Sequence, residues 1–131
     1  MDEYKEVLFK SMLWVQGVEG LVRDCVLKLV AKGQIERSNT ELEKIKNVYG
    51  LGGLAYAIKP AVTEDMFVKL IALSQDRNDV AHRAANDYLI HILSGSSAQE
   101  TEMDRWKLKS VTEAAGDIFG ELLDLHESLC N

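Results

Sequence analysis

Proline occurs once in this 131-residue chain, at Pro60, and cysteine twice, at Cys25 and Cys130. A single proline leaves long helices uninterrupted, because proline removes a backbone donor and clashes with the preceding turn. Two distant cysteines without a CxxC pair or a Cys/His cluster exclude a zinc ribbon and a disulfide scaffold. They read as apolar-face thiols of a reduced protein. No apolar run approaches the ~20 residues that span a bilayer, and no membrane association is expected. The opening Met1-Asp2-Glu3-Tyr4-Lys5-Glu6 is acidic, whereas a signal peptide opens on a basic segment. A cytoplasmic location is therefore expected. Basic residues are also in deficit, 15 Lys and Arg against 21 Asp and Glu, for a net charge of −6. That balance excludes a protein that grips nucleic acid over a broad basic surface, but it leaves room for one local phosphate site.

With 47% hydrophobic and 27% charged residues, the chain is too apolar for disorder, and its length suits one domain over residues 1–131. Strand-like alternation is almost absent and helical spacing dominates. Val7, Leu8, Ser11, Val15, Val18, Val22, Cys25 and Leu29 recur at steps of three and four, one face of a helix over about residues 2–32. Phe9, Leu13 and Leu27 fall off that stripe, so this helix is expected to meet two neighbours or a partner chain. Gly17 and Gly20 inside it suggest close helix approach. Gly33 suits a C-terminal cap, and Ser38 with Glu41 has capping-box spacing. Gly50, Gly52 and Gly53 lack a Gly-Lys-Ser/Thr ending and follow no strand, so they read as a helix break or packing point.

Thr63-Glu64-Asp65 begins the next helix. Met66, Phe67, Leu70, Ile71 and Leu73 form its apolar face, and the pattern resumes through Val80, Ala81, Ala84, Tyr88 and Ile92. Any break falls near Ser74–Asn78. Ser94-Gly95-Ser96-Ser97 is a connection, and the last helix runs from about Gln99 to Leu129. Its inward residues are expected to be Met103, Trp106, Val111, Ala114, Ile118, Leu122, Leu125 and Leu129, with Gly116 and Gly120 permitting close packing. The expected fold is an all-α, four- to five-helix up-and-down bundle.

Asp76-Arg77-Asn78-Asp79-Val80-Ala81-His82-Arg83 stands out. If residues 66–92 form one helix, Arg77 falls on the apolar stripe with Leu70, Leu73 and Val80. A buried guanidinium needs an anionic partner or a ligand. Arg77 and His82 are five apart, about 140° around a helix, so they converge only through the length of Arg77, a kink, or a ligand bridging two chains. Histidine moves protons near neutrality, arginine holds phosphate oxygens bidentately, and asparagine orients either. Together they suit phosphodiester chemistry. Ordinary structural roles fit too: Arg77 paired with Asp76, Asp79 with Arg83, and His82 as a cap or core residue. Asp76 and Asp79 would repel a phosphate unless Arg77 and Arg83 offset them. Asp87 and His91 lie near His82, but no second acidic–His pair completes a metal site. No metal or cofactor is expected.

Arg77-Asn78-Asp79-Val80-Ala81-His82 resembles the Arg-x4-His signature of HEPN domains, with Asn78 at a position that is commonly polar. The resemblance implies a HEPN-like bundle and a metal-independent endoribonuclease of toxin or defence type that works as a homodimer. It implies His82 as the acid/base in attack of a ribose 2′-hydroxyl on its own phosphate, Arg77 as stabiliser of the growing charge, and Asn78 as the positioning residue. Val48-Tyr49-Gly50-Leu51-Gly52, with the later Arg-Asn-x3-His segment, is similar to mannitol-operon-repressor-like proteins. That second resemblance implies a non-catalytic regulator or interaction module. Glu113, Asp117, Glu121 and Asp124 follow near-helical spacing on the last helix. They read as a solvated face, or as a docking face for a basic partner such as an antitoxin.

Overall fold

The computed structural model of the chain describes residues 3–94 and 102–130. Three long helices carry the architecture: α1 (Glu3–Ala31), α4 (Glu64–Ser94) and α5 (Glu102–Leu129). Between α1 and α4 lie two short ones, α2 (Asn39–Asn47) and α3 (Leu51–Ile58), and a 3₁₀ turn over Lys59–Ala61 that contains Pro60. No strand occurs among the described residues. The fold is the expected all-α helical bundle. None of its described helices is long and apolar enough to cross a membrane.

Local chemistry sets the helix ends. Gly33 adopts φ +73°, which lets its own N–H reach the Val30 carbonyl and the Gln34 N–H reach the Leu29 carbonyl, both at 3.0 Å. This left-handed cap closes α1. Ser38 Oγ accepts from the Glu41 N–H at 3.2 Å to start α2. The Glu41 carboxylate turns instead toward Arg37 Nε at 3.6 Å, so the box is one-sided. Thr63 Oγ1 accepts from the Met66 N–H at 3.1 Å and opens α4. From there α4 runs without a break through Ser74–Asn78.

Cross-helix contacts fix the directions. Gly17 sits opposite Phe119 and Asp24 opposite His126, so α1 and α5 run parallel. Lys69 meets Glu121 and Asp79 meets Lys107, so α4 runs antiparallel to both. The α2–α3 pair descends beside α1 and returns. Arg23 holds its corner, donating Nε–H to the Ile45 carbonyl and Nη2–H to the Tyr49 carbonyl, each at 3.0 Å. Arg37 Nη2 donates to the Ala57 carbonyl at 2.7 Å at the opposite end. The core is where the stripes meet: Val18, Val22 and Leu29 of α1, Leu54 and Ile58 of α3, Leu70 and Leu73 of α4, and Leu108, Ile118 and Leu122 of α5. Ser11, on the α1 stripe, is buried with its hydroxyl unpartnered.

Several expected packing positions differ. Trp106 is 65% exposed, and Leu108 and Ala115 take inward places on α5 instead. At 100° per residue, Trp106 projects about 160° from Leu108, onto the solvent side. Phe9 and Leu13 are exposed as well; among the described residues no neighbour covers that side of α1. Cys130 is exposed and only Cys25 is buried. A Cβ at Gly20, Gly116 or Gly120 would meet nothing within 4 Å, so these glycines serve no close approach. The real packing glycines are Gly52, whose Cβ would lie 3.0 Å from Ser74 Oγ, and Gly53, whose Cβ would lie 2.8 Å from the Tyr49 ring. Gly95, Ser96, Ser97 and Gln99, and the side chains of Ala84, Tyr88, Ile92 and Met103, lie outside the described residues.

The two kinds of glycine respond oppositely to a methyl group. Gly120→Ala is expected to raise the unfolding free energy by about 0.5–1 kcal/mol, since the site is helical and open. Gly53→Ala is expected to lower it by about 1–3 kcal/mol through overpacking against Tyr49. Urea unfolding of the two variants checks both signs.

Candidate functional site on helix α4

The site follows from a difference in length. Helix α3 begins at Leu51, and its first turn meets α4 where Gly52 touches Ser74. Beyond Ser74, α4 continues for five more turns without α3 beside it. Arg77 is the first stripe residue past that edge. It is exposed, contrary to the burial expected from its place on the stripe. Past the end of α3 the stripe is still covered by α1, where Val80 is buried, so Arg77 reaches solvent through the length of its own side chain.

Arg77 lies over a small cavity of about 40 Å³ between α1 and α4, lined also by Met12, Val15, Gln16, Val80 and Ala81. Its aliphatic stem meets apolar neighbours while the guanidinium reaches solvent. Nη1 is 3.5 Å from Asn78 Oδ1, at the outer limit of a hydrogen bond. No carboxylate among the described residues lies within salt-bridge distance of it.

The flanking acids are engaged elsewhere. Lys107 on α5 lies 3.2 Å from Asp76 and 3.9 Å from Asp79. The antiparallel packing of α4 on α5 turns both aspartates away from Arg77 and gives them a shared cation. Neither expected pairing of Arg77 with Asp76 nor offset of the acids by Arg77 is needed. The side chains of Arg83, Asp87 and His91 lie outside the described residues. Lys107 was the residue that sequence inspection missed, because its role depends on helix pairing across the α4–α5 connection.

His82 is exposed and makes no hydrogen bond or ion pair with a described residue. Nine residues from Leu73, it projects about 180° from the core side. One chain thus brings Arg77 and Asn78 together and leaves His82 on another face of an unkinked helix. No cluster of three or more metal-ligating side chains occurs among the described residues.

The acidic row on α5 divides. Glu121 pairs with Lys69 at 3.6 Å, and Asp117 lines a groove with Lys69, Asp76 and Ile118. Glu113 and Asp124 are exposed. Asp65 and Glu121 together push the Lys69 ammonium above its ordinary pKa, chiefly through the Asp65 hydrogen bond. Part of the row is therefore answered within the chain, contrary to a wholly free docking face.

No known family, curated protein or solved structure matches the chain.

An exposed guanidinium without a carboxylate partner contributes little to folding. Arg77→Gln is expected to leave the unfolding free energy within about 0.5 kcal/mol of the parent. Lys107→Met, which strands Asp76 and Asp79 side by side, is expected to cost about 0.5–1 kcal/mol. Parallel urea titrations, repeated at high salt to screen the second effect, check the pair.

Proposed function

We propose that the chain is a HEPN-like protein that binds and cleaves RNA through Arg77, Asn78 and His82. One observation carries this reading: Arg77 is exposed just past the end of α3 in an all-α bundle, with its guanidinium free of any described carboxylate, inside an Arg-Asn-x3-His segment. A guanidinium left free in an acidic protein is suited to an anion supplied from outside.

In this reading His82 takes the proton of a ribose 2′-hydroxyl, and the 2′-oxygen attacks the adjacent phosphorus. The 5′-oxygen departs with a proton returned by the His82 imidazolium, leaving a 2′,3′-cyclic phosphate and a 5′-hydroxyl. Arg77 stabilises charge on the non-bridging oxygens and Asn78 orients Arg77. His82 and Arg77 share one cleft when two copies pair, so the active species is a homodimer. No metal is required. An antitoxin or other basic partner would meet Glu113 and Asp124 on α5.

A non-catalytic regulator or interaction module is the second reading. It is favoured by the separation of Arg77 from His82 around α4 and by the exposed Phe9 and Leu13 on α1.

Labelled RNA incubated with the purified chain in EDTA separates the two. Cleavage that leaves 2′,3′-cyclic phosphate ends and falls at least about 100-fold in His82→Ala and Arg77→Ala is expected. An inert parent favours the regulator, and cleavage untouched by both substitutions places the activity outside Arg77 and His82.

A further inference from the structure

The outer side of α1 is uncovered among the described residues, and it carries a pattern that complements itself. We propose that this face binds a second copy of the chain, with α1 lying antiparallel on α1 about a two-fold axis at Gly17. The contact stands without the RNA reading, because Arg77 lies against Met12, Val15 and Gln16 on another side of α1.

Glu6, Lys10, Leu13, Gly17, Gly20 and Asp24 follow one another at steps of three and four, and Lys28 continues the row. At 100° per residue they share one side of the helix. Leu13 is 51% exposed, and a Cβ at Gly20 would meet nothing within 4 Å. The strip thus holds an apolar knob and an open notch. They stand four residues before Gly17 and three after it, so the axis seats each Leu13 in the Gly20 notch of the other copy. On α5, Leu123 is 38% exposed and Gly116 is as open as Gly20; both border the strip where Gly17 faces Phe119. The acids Glu113, Asp117 and Asp124 lie about 90° further round α5, outside the contact.

The charges identify the occupant as a second copy. Lys10 and Asp24 are each seven residues from Gly17, and Glu6 and Lys28 are each eleven. Antiparallel pairing therefore sets Lys10 against Asp24 and Glu6 against Lys28, twice over. Glu6 and Lys10 are exposed and make no ion pair with a described residue. Asp24 lies 3.5 Å from Lys28 yet keeps 60% of its side chain exposed, which leaves room for a second cation. From Glu6 to Lys28 the strip is about 33 Å long, and α1 with its α5 border is about 20 Å wide. Two such strips bury about 1,300 Å², the size of a specific interface.

The test uses the full chain. Sedimentation equilibrium is expected to show self-association with a Kd of about 10 µM. Leu13→Glu and Gly20→Leu are each expected to weaken it at least about 30-fold, with unchanged circular dichroism because both positions face solvent in a single chain. Lys10→Glu is expected to weaken it about tenfold at low salt and less at high salt. Gly17→Cys in a Cys130→Ser background is expected to form a disulfide-linked pair on mild oxidation, because the axis brings position 17 of both copies together. Val68→Cys in the same background, exposed on α4, is expected to stay single. A chain that is monomeric at about 200 µM, association untouched by both Leu13→Glu and Gly20→Leu, or no cross-link at position 17 would overturn the proposal.

Discussion

The constraint on which the rest depends is a mismatch of helix lengths. Helices α1, α4 and α5 have 29, 31 and 28 residues, while α2 and α3 have 9 and 8. At 1.5 Å per residue, α3 covers only about 12 Å of an α4 that runs about 46 Å. The apolar stripe on α4 is therefore covered by α3 at one end and by α1 further along, where Val80 is still buried. Leu70 and Leu73 are sealed beneath α3, and Arg77, one turn on, meets solvent. The same sequence pattern that builds the core thus places a guanidinium just past the end of α3.

Electrostatics then decide what that guanidinium is free to do. A basic residue beside Asp76 and Asp79 would ordinarily be neutralised by them. Pairing with α5 removes both acids by giving them Lys107. Within the Arg-Asn-x3-His segment, Arg77 is left with no described carboxylate partner, which suits an anion at that place. The far end of the bundle shows the related use of cross-helix geometry. There the parallel run of α1 and α5 brings Lys28 and Asp24 within 3.0 and 3.2 Å of the His126 ring.

Much of this was legible in the residues themselves. Gly33, Ser38 and Thr63 marked helix ends because capping is local chemistry, and the Val15–Leu29 stripe marked the α1 core because burial follows the helical period. The Arg77–Asn78 contact was readable from adjacency. What escaped was non-local. Spacing put Arg77 on an apolar stripe but carried no information on where α3 would stop. Lys107 and Asp24 owe their roles to helix pairing, which no short window encodes. Gly20, Gly116 and Gly120 resembled packing notches, but spacing does not say whether a partner helix fills them; Gly53 was decided by the fold of Tyr49 over it.

The central claim is a single focused phosphate site in an otherwise acidic protein. The salt dependence of RNA affinity tests it most directly, because each phosphate neutralised on a single strand adds about −0.7 to the slope of log K against log salt. The account predicts a shallow slope of about −0.7 to −1.4, corresponding to one or two arginine contacts, reduced by about 0.7 or more in Arg77→Gln. A slope steeper than about −4, or one unchanged by Arg77→Gln, would contradict it.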